Sequence, residues 1–157
     1  MNIVRIEDID VPTANPAEVV CPLSEALGTT GLAINYYVLA PGERFGFDLH
    51  RHRDQEEVFY VQSGTVTFET ETDEVVVEAG EIIRFAPGEF QIGRNLGDER
   101  VTALALGAPQ RTKEIDYLRE CPACEKRTVQ SLDPPDEASA FIVRCTDCGV
   151  ETVRETR

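Results

Sequence analysis

From residue 31 to residue 106 the chain repeats one pattern, in which a short run of β-favouring residues is followed by a turn signal. The run Ala33–Leu39 ends at Pro41-Gly42, and residues 56–62 end at Ser63-Gly64. Turn signals recur roughly every eight to twelve residues, and no long amphipathic helical period interrupts them. The pattern therefore predicts an all-β sandwich or barrel rather than βαβ units. Further runs of this kind are Thr65–Thr70, Glu74–Glu78, Glu81–Phe85, Glu89–Ile92 and Val101–Leu106.

The only two histidines of the chain, His50 and His52, stand two residues apart among residues that favour extended backbone. Side chains two apart in a strand point to the same face, so both imidazoles can reach one ion. A carboxylate follows at Glu56 or Glu57. Two imidazoles and a carboxylate are the ligand set of mononuclear non-haem iron sites, and they also suit manganese, nickel or zinc. The alternative is a pair of ordinary strand histidines with polar roles.

The spacing His50-x-His52-x4-Glu57-x6-Gly64 resembles the first motif of the cupins, and residues 80–95 resemble their second motif. The resemblance covers roughly residues 30–108. It implies a double-stranded β-helix, or jelly-roll, barrel with His50, His52 and Glu57 as metal ligands. Glu57 is preferred to Glu56 because of its spacing to Gly64.

Gln91 occupies the place where the second cupin motif normally supplies a third histidine. Its carbonyl oxygen can bind an ion, but more weakly than an imidazole does. The alternative is an ordinary polar residue, hydrogen-bonded inside the barrel mouth. Either way at most three strong ligands are present, and open coordination positions suit catalysis or ligand binding.

Strand alternation also predicts which neighbours share the inward face of the histidines. Gly46 and Asp48 should point inward, whereas Phe45, Phe47 and Leu49 should point outward and be covered by the N-terminal segment or another subunit. Cupins commonly dimerise through such outer faces, so the resemblance implies a homodimer. Aromatic residues in strands usually belong to the hydrophobic core, but some could instead line the cavity. The candidates are Tyr36, Tyr37, Phe59, Phe85 and Phe90.

Four cysteines form two pairs near the end of the chain, Cys121-x2-Cys124 and, after twenty residues, Cys145-x2-Cys148-Gly149. This spacing predicts a tetrahedral, structural Zn²⁺ site, and it resembles a zinc ribbon. Disulfides or redox pairs are the alternatives, and a reducing cytoplasm disfavours disulfides. We therefore expect a barrel with an N-terminal extension at 1–110, a linker at 111–120 and a zinc ribbon at 121–157.

Acidic residues outnumber basic ones by 29 to 15, which gives a formal net charge of -14. Direct nucleic-acid binding is not expected, because phosphate contacts need clustered lysine and arginine. A surface rich in acid and poor in lysine is typical of proteins from a high-salt cytoplasm, so a halophilic, haloarchaeal source is expected. The chain has no apolar run of membrane-spanning length and no signal-peptide pattern at its start, so we expect a soluble cytoplasmic protein that does not bind membranes.

The leading functional hypothesis is a metal-binding cupin that acts on or senses an unidentified small molecule in its barrel. Its enzymatic form is a mononuclear metal-dependent dioxygenase or isomerase, with a divalent ion (Fe, Mn, Ni or Zn) in the barrel and structural zinc in the ribbon. The alternative is a non-catalytic binding or regulatory module whose ribbon contacts a protein. Gln91 favours the alternative, whereas His50, His52 and Glu57 together favour the first; the residues alone decide neither the substrate nor whether the protein is an enzyme.

Overall fold

The computed structural model describes residues 1–9, 17–112, 114–132 and 140–156. Within these ranges the chain forms thirteen strands, one short α-helix and one 3₁₀ turn, so the predicted all-β class is confirmed. No helix among the residues described has the length and apolar character that crossing a bilayer requires. The helical pieces are the 3₁₀ turn Ile6–Asp8 and α1 (Leu23–Leu27). The strands are β1 (Val19–Pro22), β2 (Ala33–Leu39), β3 (His50–His52), β4 (Glu56–Ser63), β5 (Thr65–Thr70), β6 (Glu74–Glu78), β7 (Ile82–Phe85), β8 (Gln91–Arg94), β9 (Val101–Ala108), β10 (Ile115–Cys121), β11 (Lys126–Leu132), β12 (Ala140–Cys145) and β13 (Glu151–Thr156).

The strands form two antiparallel sheets that enclose one apolar core. The five-stranded sheet has the order β1-β2-β9-β4-β7, and the eight-stranded sheet has the order β13-β12-β11-β10-β3-β8-β5-β6. Side chains from both sheets meet in the core, where the ring centroids of Phe59 and Phe68 lie 5.1 Å apart. Burial of this shared face stabilises the sandwich and gives the jelly-roll barrel that the sequence predicted.

The inward-facing residues of β9 become smaller toward one end of the barrel. Val101, Ala103, Ala105 and Gly107 are buried, and the residues between them are only half-buried. A Cβ on Gly107 would lie 2.9 Å from Cδ of Gln55, so the amide of Gln55 packs directly against the β9 backbone. Ala105 and Gly107 line a cavity at this end of the barrel.

The prediction that Phe45 faces outward is wrong. Phe45 is 2% exposed and packs in the barrel core, with its ring centroid 4.9 Å from that of Tyr37 and 5.1 Å from that of Phe59. Strand alternation fails here because Gly46 has a left-handed φ of 69°, and residues 45–49 form bends rather than a strand. A residue with a positive φ reverses the direction of the chain locally, and only glycine adopts it without strain.

Leu49 lies in a second apolar cluster that the C-terminal strands cover. It is 1% exposed and packs with Phe90 and Ile92, against which Leu118 of β10 and Val129 of β11 also pack. Phe47, in contrast, is 59% exposed. The cover predicted for Leu49 from the N-terminal segment or another subunit is thus supplied by the chain's own C-terminal strands.

The residues predicted as a linker at 111–120 include most of β10, a strand of the barrel sheet. β10 pairs with β3 in the register Ile115↔His52, Asp116↔Arg51 and Tyr117↔His50. The carboxylate of Asp116 is almost fully buried and accepts hydrogen bonds from Nε of Arg51 at 2.9 Å and from Nε of Arg53 at 2.8 Å. β10, which ends at Cys121, is therefore hydrogen-bonded directly to the strand that carries the histidines.

We predict that Asp116→Asn destabilises the protein by about 1–3 kcal/mol, because hydrogen bonds to a charged, buried acceptor are lost. Burial alone would raise the pKa of Asp116, but the hydrogen bonds from Arg53 and Arg51 outweigh it and hold the pKa below its ordinary value. This contribution is present above the unfolded pKa of about 3.9 and is lost as pH falls through the lower folded pKa. Urea unfolding at pH 7 and below pH 4 measures both effects.

Glu114→Gln is the matched control, since Glu114 also accepts from Arg53 but its side chain is 62% exposed. It should change stability much less than Asp116→Asn does. Equal effects of the two substitutions would contradict a special role for the buried carboxylate.

Candidate metal and ligand site

The structure brings together the three residues that the sequence proposed as metal ligands. His50 and His52 lie on β3 of the eight-stranded sheet, and Glu57 lies on β4 of the five-stranded sheet. One nitrogen of each imidazole and one carboxylate oxygen of Glu57 lie within 4.8 Å of one another. Nε2 of His52 and Oε1 of Glu57 are 3.3 Å apart, a separation that suits two donors around a single ion, because first-row metals bind such atoms at about 2.0–2.2 Å. His50 and His52 lie on the same face of β3, as expected for residues two apart in a strand.

Hydrogen bonds orient the His50 imidazole for ligation through Nε2. Its Nδ1 lies 2.8 Å from the carbonyl oxygen of Asp48, so Nδ1 carries the proton and donates it. Burial lowers the pKa of His50, which keeps the ring neutral. A neutral ring with its proton on Nδ1 leaves the Nε2 lone pair available to an ion.

Glu57 is held as a carboxylate at the same place. Its Oε1 lies 3.3 Å from Nε2 of His52, and its Oε2 accepts a 2.7 Å hydrogen bond from Nε2 of Gln91. Burial alone would raise the pKa of Glu57, but the hydrogen bond from His52, the two imidazoles and Gln91 outweigh it and lower the pKa. The charged form, which is the form that binds metal ions, is therefore favoured.

Gln91 is the direct neighbour of His50 across the sheet, because β3 and β8 pair in the register His50↔Gln91. The side chain is 1% exposed, and its Nε2 lies 3.4 Å from Nε2 of His50. Its Oε1 is buried and has no hydrogen-bond partner among the described residues. A half-turn of the amide would present this carbonyl oxygen, an acceptable metal donor, to the space between His50 and Glu57.

A cavity of about 560 Å³ opens above these groups. Of the five aromatic candidates, Tyr37 and Phe59 line it, whereas Phe85 packs in the core and Phe90 lies beneath the guanidinium of Arg51 at 4.6 Å. Tyr36 does not line this cavity. Burial and the charge of Glu57 raise the pKa of Tyr37 to about 12, so its hydroxyl keeps its proton at neutral pH.

Sequence reasoning missed the part of the cavity wall that follows β9. Ile115 and Tyr117 of β10 line the cavity, and the ring centroid of Tyr117 lies 6.3 Å from that of His50. Ile115 and Tyr117 are two residues apart, which is the spacing of one strand face. The charged residues between and after them made this alternation hard to recognise as a strand. Other lining residues that the sequence did not single out are Asn35, Gln55, Gln110, Arg111 and Thr112.

The four paired cysteines form a second cluster, where the hairpins β10–β11 and β12–β13 turn. Sγ of Cys121 lies 3.7 Å from Sγ of Cys148, and Sγ of Cys124 lies 3.9 Å from Sγ of Cys145. These separations are too long for a disulfide bond. Tetrahedral zinc with Zn–S bonds of about 2.3 Å requires sulfurs about 3.8 Å apart, so the spacing fits this ion.

The two cysteine pairs share one backbone arrangement. In each, the residue after the second cysteine has a positive φ, 52° at Glu125 and 74° at Gly149. The amide of that residue donates to the carbonyl oxygen of the first cysteine, at 2.9 Å from Glu125 to Cys121 and at 2.9 Å from Gly149 to Cys145. Two equivalent turns thus bring four thiol groups to one centre.

We predict that Cys124→Ser abolishes zinc binding at this cluster, because a serine hydroxyl is a poor replacement for a thiolate ligand. Zinc content measured by atomic emission should fall by one equivalent per chain, and the melting temperature should fall with it.

Cys21→Ala is the control, since Cys21 is buried on β1 and does not belong to the cluster. It should leave the zinc content unchanged. Equal zinc content in wild type and Cys124→Ser would rule out a four-thiolate site.

Residues 35–107 match the family described as Cupin domain. The chain is similar to a sugar phosphate isomerase of the cupin superfamily from Silicibacter pomeroyi, with 16% identity, a TM-score of 0.64, and 99% of this chain and 92% of the other covered. It is also similar to a putative sugar phosphate isomerase from Acidithiobacillus ferrooxidans, with 24% identity, a TM-score of 0.62, and 87% and 81% covered. It is similar as well to a predicted oxalate decarboxylase from Thermotoga maritima, with 23% identity and a TM-score of 0.59, and this match covers 68% of this chain and 98% of the other. No curated protein matches the chain. At these identities the solved structures support the fold, and the first of them aligns with nearly the whole chain.

Proposed function

We propose that this chain, whose residues 35–107 form a cupin domain, is a metal-dependent enzyme that acts on a small molecule in its barrel cavity. His50, His52 and Glu57 hold a divalent ion, Fe, Mn, Ni or Zn, and Gln91 adds a weak fourth donor. The observation that carries the proposal is the convergence of two imidazoles and a carboxylate from opposite sheets at the floor of the cavity.

The residues present fit such an ion. Gln91 Oε1 and Nδ1 of His52 are buried without hydrogen-bond partners in the described part of the chain, and the Gln91 amide lies between His50 and Glu57. When bound, the ion would supply Lewis acidity and open coordination positions, which serve a dioxygenase or an isomerase.

The protein's own side chains prepare the floor of the cavity. The carbonyl group of Asp48 fixes the tautomer of His50, and before an ion binds the amide of Gln91 donates to Glu57 and orients its carboxylate. Phe45 and Phe59 form part of the apolar wall of the cavity. A pre-organised site of this kind strengthens the electrostatic interactions made with a bound molecule.

A non-catalytic ligand-binding or regulatory module is the second candidate. One observation favours it: the amide of Gln91 donates to Glu57 at 2.7 Å and so satisfies part of this carboxylate without an ion. In this role the barrel would sense a small molecule, and the cysteine-bearing strands would contact a protein.

The remaining expectations from the sequence belong to the same proposal. We place a structural Zn²⁺ on Cys121, Cys124, Cys145 and Cys148, in a zinc-ribbon arrangement, and we propose a homodimer in the cytoplasm of a halophilic organism. The sulfur–sulfur distances support the zinc, and the excess of acidic residues supports the high-salt cytoplasm. Domain boundaries at 110 and 120 stay predictions.

Metal analysis of purified protein tests the barrel site. We predict two ions per wild-type chain, of which combined His50→Ala and His52→Ala removes one, because only Glu57 and Gln91 then remain. The cysteine cluster should keep its zinc in this variant, just as Cys124→Ser should keep the barrel ion. A wild type with one zinc ion per chain, the one at the cysteines, and a double variant with the same content would end the enzyme proposal.

Substitutions at Gln91 test its role as a donor. Gln91→His should tighten binding of the barrel ion about tenfold or more, since imidazole is a stronger ligand than an amide oxygen. Gln91→Leu, an apolar control of similar size, should weaken it. Competition with a chromogenic chelator gives the dissociation constants, and three equal values would show that Gln91 is not a ligand.

A further inference from the structure

We propose that Arg111 is the anchor for an anionic ligand in the barrel cavity, and that the molecule bound there carries a carboxylate or phosphate group. The proposal rests on the proposed function in one respect, that the cavity above His50, His52 and Glu57 is a ligand site. It adds the charge of the ligand and the residue that recognises it.

Arg111 lines the cavity at its exposed rim. It is the only lysine or arginine among the described residues that line this cavity. The chain carries a net charge of -14, so the protein as a whole repels anions. An anionic ligand therefore needs a local positive charge, and Arg111 supplies one.

Most other described arginines are committed to carboxylates. Arg51 and Arg53 bind Asp116, Arg84 binds Glu56, and Arg100 binds Glu18. Arg111 has no ion pair or side-chain hydrogen bond to any residue in the described ranges, although acidic residues are abundant. Its guanidinium is thus available for the bidentate contact that it makes well with carboxylate and phosphate groups.

The segment that carries Arg111 is fixed on the rim of the barrel by three side-chain hydrogen bonds. These bonds fix the backbone around Arg111 before a ligand binds, so the entropic cost of ordering this segment on binding is smaller. The bonds are Gln55 Nε2 to the carbonyl oxygen of Pro109 at 2.6 Å, Gln110 Nε2 to the carbonyl oxygen of Thr29 at 2.7 Å, and Thr112 Oγ1 to Oδ1 of Asp54 at 2.8 Å.

Neutral donors in the same cavity suit an oxygen-rich anion. Tyr37, Tyr117 and Asn35 line it, and their side chains have no hydrogen-bond partner in the part of the chain that the structure describes. Two hydroxyl groups and an amide can donate to ligand oxygens while Arg111 holds the charge. The cavity, about 560 Å³, accommodates a small metabolite.

Calorimetric titration of the metal-loaded, full-length protein tests the proposal, with malonate and inorganic phosphate as anionic probes and malonamide as the neutral one. Wild type should bind at least one anion more tightly than malonamide, and the tighter of the two identifies the group preferred. Arg111→Gln should raise the dissociation constant of that anion about tenfold or more and leave malonamide unchanged, whereas Arg111→Lys should lie between.

Arg5→Gln is the control, because it removes the same charge from an exposed residue that does not line the cavity. It should bind the probes as wild type does. The proposal is overturned by wild-type affinity in Arg111→Gln, by an equal loss in Arg5→Gln, or by a wild type that binds neither anion more tightly than malonamide. Metal analysis of the same samples tests the proposed function separately, because a missing barrel ion contradicts it. The role of Arg111 is judged only from the dissociation constants that the titrations give.

Discussion

The pairing of the short strand β3 with its two neighbours is the interaction on which the rest of the structure depends. β3 contains only three residues and has one register pair with β8 but three with β10. The ion pairs of the buried Asp116 carboxylate with the partly exposed Arg51 and Arg53 reinforce the β10 side. Because β3 carries both histidines, the position of the two imidazoles is set mainly by a strand that lies outside the matched family region, which ends at residue 107.

The two candidate metal sites are consequently parts of one sheet. β10 begins opposite His52 and ends at Cys121, about 20 Å away at 3.3 Å per residue. The cysteine cluster offers four donors and is closed, as a structural site is, whereas the barrel site offers three strong donors beneath an open cavity. A zinc ion in the cluster would hold the ends of β10 and β12 together and so steady the strand that supports His50 and His52.

The sequence was most informative where side-chain alternation or ligand spacing decides the structure. His50 and His52 share a face because residues 50–52 are a strand, and the C-x2-C pairs converge because each makes the same turn. Phe45 was misplaced because the left-handed Gly46 interrupts the alternation. The polar sequence of Lys113–Leu118 allows either a short strand or a connector, because the arginine partners of Asp116 lie about sixty residues away in the chain and no local pattern marks them. No local pattern marks Arg111, since its role follows from the cavity alone.

Anomalous diffraction from crystals of the protein grown with zinc and soaked in manganese locates both metal sites. We predict a manganese peak inside the barrel, about 2.0–2.2 Å from donor atoms of His50, His52 and Glu57, and a separate zinc peak at the four cysteines. Anomalous peaks at the cysteines alone, with no peak between His50, His52 and Glu57, would contradict a metal site in the barrel.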